Sequence, residues 1–99
     1  MAMSSKVVID KNPAKFLCKL AKSAPQAFIK IDDFLSKDLP NVKNPCTLPN
    51  AKRLAGFSDS RYRWRLGKYR IIGIVENGEF YIIQIIKIAK RDEKTYKEL

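Results

Sequence analysis

The chain contains no histidine and only two cysteines, Cys18 and Cys46. Without an imidazole to carry protons near neutral pH, Ser-His-Asp hydrolases, Cys-His proteases and histidine-based ribonucleases are excluded. Any catalysis must draw on carboxylate, lysine, arginine or tyrosine. With no CxxC pair either, a structural zinc site is not expected, and nothing in the sequence asks for another metal or a cofactor. Cys18 falls in an apolar helical stretch, where a buried reduced thiol is the usual state, and Cys46 follows a proline in a loop. No run approaches the ~20 apolar residues that a membrane span requires. Residues 1–10 lack the apolar stretch of a signal peptide, so the expectation is a soluble, cytoplasmic protein. Acidic residues are scarce as well. Ten Asp and Glu stand against 20 Lys and Arg, for a formal net charge of +10 and a pI near 9.8, which points to a polyanionic partner such as nucleic acid or a ribonucleoprotein.

What is present suits a small core. The 99 residues are expected to form one domain over 1–99, and 45% apolar content suffices to fold it without disulfides. Lys6 to Asp10 is β-prone. Asn12 and Pro13 read as the N-cap and first residue of a helix running to about Ser23, with Leu17, Leu20, Ala21 and Ala24 on one face and Lys11, Lys15, Lys19 and Lys22 on the other. Pro25 starts a second helix whose stripe is Ala27, Phe28, Ile31, Phe34 and Leu35. A short link makes the two an antiparallel hairpin. Asp38 to Asn50, with three prolines and three asparagines, reads as a loop. The period then changes to two. Gly67-Lys68 suits a two-residue turn and Asn77-Gly78 is a strong hairpin signal, giving antiparallel strands over about 61–66, 69–76 and 79–88. The fold class is therefore α+β, in the order β-α-α-β-β-β with a three-stranded antiparallel meander.

All six arginines follow residue 52, while the first half of the chain uses only lysine. Arginine is preferred where a planar fork grips phosphate. Two-residue turns fix register. The first pairs Leu66 with Tyr69, Arg65 with Arg70, Trp64 with Ile71 and Arg63 with Ile72. The second pairs Glu76 with Glu79, Ile72 with Ile83, Arg70 with Ile85 and Lys68 with Lys87. One face then carries Tyr62, Trp64, Leu66, Tyr69, Ile71, Val75, Phe80, Ile82 and Ile86 as a core face. The other carries Arg61, Arg63, Arg65, Arg70 and Lys87, floored by Ile72, Ile83 and Ile85, and Arg91 shares its parity if the last strand runs on. Arg65 opposite Arg70 is a like-charge pair costing up to ~1 kcal/mol, which an anion between them would turn into shared attraction.

The segments Lys52-Arg53-Leu54-Ala55-Gly56-Phe57, Tyr62-Arg63-Trp64-Arg65-Leu66-Gly67-Lys68-Tyr69-Arg70-Ile71-Ile72 and Lys90-Arg91-Asp92 with Tyr96 resemble the RelE/ParE toxin superfamily, the RelE branch in particular. The order of elements matches too, so the likeness spans nearly the whole chain. The resemblance implies a microbial-ribonuclease-like α+β fold with a concave sheet face for RNA. It implies a toxin of a bacterial type II toxin–antitoxin system: a ribosome-dependent, metal-independent messenger RNA endoribonuclease that inhibits translation. In that chemistry the 2′-hydroxyl attacks the adjacent phosphate. Arg63 and Arg65 match positions often held by lysine in active members, Arg70 an arginine that grips the scissile phosphate, Arg91 one that assists the leaving group, and Tyr96 a tyrosine that stacks on the substrate base. Lys52, Arg61, Lys87 and Lys90 are the expected RNA-binding residues. Implied partners are a cognate antitoxin, acidic where it covers the arginine face, messenger RNA in the ribosomal A site, and ribosomal RNA. The alternative is a ParE-like toxin that inhibits DNA gyrase by binding. A generic RNA-binding module lacks support, since the signatures of RRM and KH domains are missing. With arginine at both lysine positions no base is assigned, because arginine hardly deprotonates. Lys52, Lys87 and Lys90 are the candidates, unranked.

Overall fold

The computed structural model describes residues 5–78 and 81–90. Strand β1 (Ser5–Ile9) leads into helix α1 (Lys11–Ser23) and helix α2 (Pro25–Asp33). A π-helical turn (Phe34–Asp38), a short helix α3 (Leu39–Asn41) and one 3₁₀ turn (Pro45–Thr47) follow. Strands β2 (Ala51–Arg53), β3 (Arg61–Leu66), β4 (Tyr69–Asn77) and β5 (Tyr81–Lys90) complete an α+β fold. The sheet order is β1-β5-β4-β3-β2, with β1 parallel to β5 and every other pair antiparallel. The expected strand, helix pair and meander are all present, and β2 adds an edge strand that the sequence pattern did not reveal.

The helical region differs from expectation at both ends. α1 begins one residue after an extended Asp10 and not at Asn12; the Ala14 N–H donates to the Asp10 carbonyl at 3.0 Å. Pro13 is tolerated because first-turn N–H groups have no partner within the helix. Ala24, at φ −146° and ψ 72°, breaks the chain between α1 and α2, and Pro25 supplies the preset φ that restarts it. The loop expected from Asp38 starts only after Asn41. Pro40 has no N–H to give, and its ring would strike the carbonyl four residues back. The turn widens instead, so that the Leu39 N–H donates to the Phe34 carbonyl, and the helix continues into the buried Leu39 and Pro40.

Leu17, Leu20, Ile31, Phe34, Leu35 and Leu39 pack on the sheet residues Trp64, Tyr69, Ile71, Val75, Ile83, Ile85 and Ile88. The helix stripes are those expected except that Ala21 is outside the core cluster and Phe16 packs against it, and Cys18 is exposed, on the solvent side of α1, and not buried. Trp64 is fully buried, and its Nε1–H donates to the Pro45 carbonyl at 2.9 Å. The β3–β4 register is the expected one at every pair from Leu66↔Tyr69 to Arg63↔Ile72. Gly67, at φ +56°, takes the left-handed turn position that a side chain would resist.

The β4–β5 register is not. Asn77 pairs with Tyr81, Glu76 with Ile82, Val75 with Ile83 and Gly73 with Ile85, so the tight turn at Asn77-Gly78 does not form and β5 is shifted by three residues. An odd shift exchanges the two faces. Ile83 and Ile85 therefore lie in the core, not on the arginine face, and Ile82 pairs on the opposite side. Between Gly73↔Ile85 and Ile72↔Lys87 the register slips once more, leaving Ile86 as the extra residue of a β-bulge rather than a core position. Beyond it Ile88 packs in the core. Phe80, expected on the core face, and Glu79 lie outside the described residues.

The 54–60 connection is held to the sheet by a latch. Arg61 Nε and Nη2 donate to the two carboxylate oxygens of Asp59 at 3.1 and 2.8 Å, and the guanidinium carbon sits 4.1 Å from the Phe57 ring centroid. The hydrogen bonds from Arg61 hold the Asp59 carboxyl below its ordinary value.

Two outcomes are expected. A β-carbon at Gly73 would stand 3.0 Å from the Gln84 carbonyl oxygen, 3.1 Å from the Trp64 ring and 3.2 Å from Ile85 Cδ1. Gly73→Ala should then cost about 1–3 kcal/mol, seen by circular dichroism as a thermal midpoint lowered by roughly 4–8 °C per kcal/mol. The Asp59 carboxyl releases its proton more readily in the folded chain, so its contribution is complete above the unfolded value near ~3.9 and is lost as pH falls through the lowered folded value. Asp59→Asn should lower the thermal midpoint at pH 7, and the gap to wild type should close in strong acid. A gap independent of pH would assign the loss to something other than the carboxylate charge.

Candidate nucleic-acid interface

With Trp64 in the core, the pleat turns Arg61, Arg63 and Arg65 to the opposite face. On β4 the residues of that face are Arg70, Ile72, Ile74 and Glu76. The bulge at Ile86 brings Lys87 onto the same face, opposite Ile72. On the other side β2 sets Lys52 opposite Arg63. The result is a row across four strands, Lys52, Arg63, Ile72, Lys87, flanked on one side by Arg65, Arg70 and Ala89. Directly opposed residues in such a sheet have β-carbons about 4.5–5.5 Å apart.

Ile72 has no exposed surface although it lies outside the helix-side core cluster. Its neighbours on that face of the sheet include Arg63, Arg70 and Lys87, whose long aliphatic stems are of the kind that can cover an apolar side chain. Arg63 and Arg70 are correspondingly half-buried, with Nε of each buried, and Arg63 Nε has no hydrogen-bond partner among the described residues. Arg65 and Lys52 are exposed. Among the described residues, the nearby acids are engaged or distant. Asp59 holds Arg61, Asp10 Oδ1 accepts from Gln84 Nε2 at 2.9 Å, and Glu76 stands at the far end of β4, opposite Ile82. The Arg65–Arg70 like-charge pair is present as expected.

Of the expected site residues, the fold brings together Arg63, Arg65, Arg70, Lys52 and Lys87. Arg61 shares the face, but its charge is matched by Asp59. Lys90 pairs with Tyr69, on the helix-side parity, and does not join them. Arg91 and Tyr96 lie outside the described residues. The Asp59–Phe57 latch was missed in the sequence, where only the spacing of Asp59 two residues before Arg61 hinted at it.

The other side of the sheet offers a thiol beside a phenol. The Tyr62 hydroxyl hydrogen-bonds the Cys46 sulfur, which keeps the phenol proton on and pushes Tyr62 above its ordinary value. Burial pushes the Cys46 thiol up, against that hydrogen bond. Neither group is set up as a nucleophile near neutral pH.

No family model and no curated protein matches this sequence. Solved structures do. The chain is similar to a chain of the crystal structure of the toxin-antitoxin complex RelBE2 from Mycobacterium tuberculosis, with a TM-score of 0.67 and 21% identity over 87% of this chain and 96% of that one. It is also similar to a YoeB/ParE toxin from Agrobacterium tumefaciens, with a TM-score of 0.68 and 15% identity over 86% of this chain and 97% of that one. The strand, the helix pair and the mixed sheet are thus a fold shared with these RelE/ParE-type toxin structures.

Proposed function

We propose that the chain is the toxin of a toxin–antitoxin pair and that it cleaves messenger RNA on the arginine face of the sheet, in the ribosomal A site and without metal. The observation that carries this reading is the cationic row over Ile72. Lys52, Arg63, Arg65, Arg70 and Lys87 share one face, and no described carboxylate faces them within that row. Such a face attracts a polyanion and is least strained when an anion lies between Arg65 and Arg70.

RNA supplies its own nucleophile, so the protein need not. The 2′-oxygen attacks phosphorus in line, the bond to the 5′-oxygen breaks, and a 2′,3′-cyclic phosphate is left. Negative charge grows on the phosphoryl oxygens during this step. Guanidinium groups whose stems are already packed stabilise that charge without first being ordered, which is where such sites gain most. Arg70 and Arg63, half-buried beside Ile72, act on the phosphoryl group, while the exposed Arg65 and Lys52 hold the flanking backbone. Arg91 and Tyr96 remain proposed for the leaving group and the base.

An acidic antitoxin segment would meet the same face, and one of the structurally similar proteins was solved as a toxin-antitoxin complex. The proposal is tested on programmed 70S ribosomes, with messenger RNA ends mapped by primer extension. Cuts at defined codon positions are expected, with Arg70→Ala slower by about 10²–10³-fold. Arg65→Ala should lower the salt dependence of RNA binding by about one unit of slope. No cleavage on or off the ribosome, combined with inhibition of DNA gyrase supercoiling, would replace this reading with that of a ParE-like binding toxin.

A further inference from the structure

Cleavage by 2′-hydroxyl attack needs a group to take the hydroxyl proton, and arginine hardly exchanges one near neutral pH. Resting on the nuclease reading above, we infer that Lys87 is that group, placed by the β-bulge at Ile86. Of the lysines near the sheet, Lys90 has the wrong parity, and Lys52 is exposed on the short edge strand β2. Lys87 is half-buried on a central part of the sheet, one residue across from Ile72, on whose other side stands Arg63. Arg70, the neighbour of Ile72 along β4, shares that face.

The bulge is what makes this placement possible. Before it, the even residues Ile82 and Gln84 share the arginine face. After it, the odd residues Lys87 and Ala89 do. A regular strand would put Ile86 beside Ile72 and turn Lys87 toward the helices. Bulges commonly re-aim one side chain next to an active site, at the cost of a ladder bond. Among the described residues, the charged groups on the same sheet face as Lys87 are Arg63 and Arg70 beside Ile72, Arg65 and Lys52 farther along, and Glu76 at the far end of β4. Lys19 of α1 and Lys90 join it around the cleft beside β5, and Asp10 lies at the end of β1, where its N–H donates to Ile85 just before the bulge.

In the step so assigned, the neutral Lys87 amine accepts the proton of the 2′-hydroxyl as the 2′-oxygen bonds to phosphorus. The P–O5′ bond breaks, and the departing oxygen keeps the electron pair and takes a proton from water. Lys87 then returns its proton to solvent. No oxidant, reductant or other co-reactant enters.

Lys87→Arg separates charge from proton exchange. Single-turnover cleavage of ribosome-bound message is measured from pH 5.5 to 9.5, alongside RNA affinity. Wild type should show a rate that climbs about tenfold per pH unit as pH rises. Lys87→Arg should bind RNA within about twofold of wild type yet cleave about 10²–10⁴-fold more slowly, with the rising limb gone. Lys52→Arg should keep that limb whatever its absolute rate. Retention of the wild-type rate and profile by Lys87→Arg, or loss of the limb in Lys52→Arg instead, overturns the inference and leaves the nuclease reading standing. A limb in the carboxylate range that survives in Lys87→Arg and disappears in Asp10→Asn also overturns it. Wild-type protein that cleaves nothing overturns both.

Discussion

Burial of the Trp64 indole, with its N–H on the Pro45 carbonyl and its ring against Gly73, leaves β3 a single orientation. A strand has only two faces. Once the largest side chain of Arg61–Leu66 is committed to the helices, Arg61, Arg63 and Arg65 are committed to the other side. Truncating such an indole costs on the order of 3–5 kcal/mol, far more than the ~1 kcal/mol of repulsion between Arg65 and Arg70. The like-charge pair is therefore tolerated because something stronger, on the opposite face of the same strand, holds it in place. The hydrogen bond to Pro45 has a second effect, tying the segment before β2 to the sheet so that Lys52 reaches the row.

The cationic face is built from two kinds of arginine. Arg61 is chelated by Asp59 and stacked on Phe57, and it serves the 54–60 connection. Arg63 and Arg70 neighbour the fully buried Ile72 on the sheet and have their Nε atoms buried. Long side chains lose up to ~2 kcal/mol of rotamer freedom on being fixed. Here part of that loss occurs during folding, because both side chains are half-buried, with their Nε atoms out of solvent.

The first hairpin was legible in the sequence because Gly67 allows only a short left-handed turn and alternation is strict from Tyr62 to Leu66. The second was not. Asn77-Gly78 carries the usual turn signal, yet Asn77 stays in the ladder opposite Tyr81. The run from Tyr81 to Ile88 holds isoleucines at both parities, so nothing in it marks which face is which or where a bulge falls. Two irregularities, a three-residue shift and a one-residue bulge, add up to an even number. That is why Lys87 was expected on the arginine face and is found there, although the expected partner was Lys68 and the actual one is Ile72. Arg63, Arg65 and Arg70 were legible from the first hairpin alone. β2 escaped notice because three residues between Pro49-Asn50 and Gly56 show no period, and the continuation of the second helix past Asp38 was masked by Pro40.

β1 is the parallel edge partner of β5, and Asp10 and Gln84, joined by a hydrogen bond, stand 74 residues apart. Contacts so distant along the chain form late, since the loop between them must close before they contribute. The helix pair and the β3–β4 hairpin close over short separations, but the sheet has no place for β1 until β5 has docked on β4. Lys87 arrives with that same strand. During synthesis, then, the arginines of β3 and β4 leave the ribosome before Lys87 does, and the cationic row is completed only when the last described strand has docked.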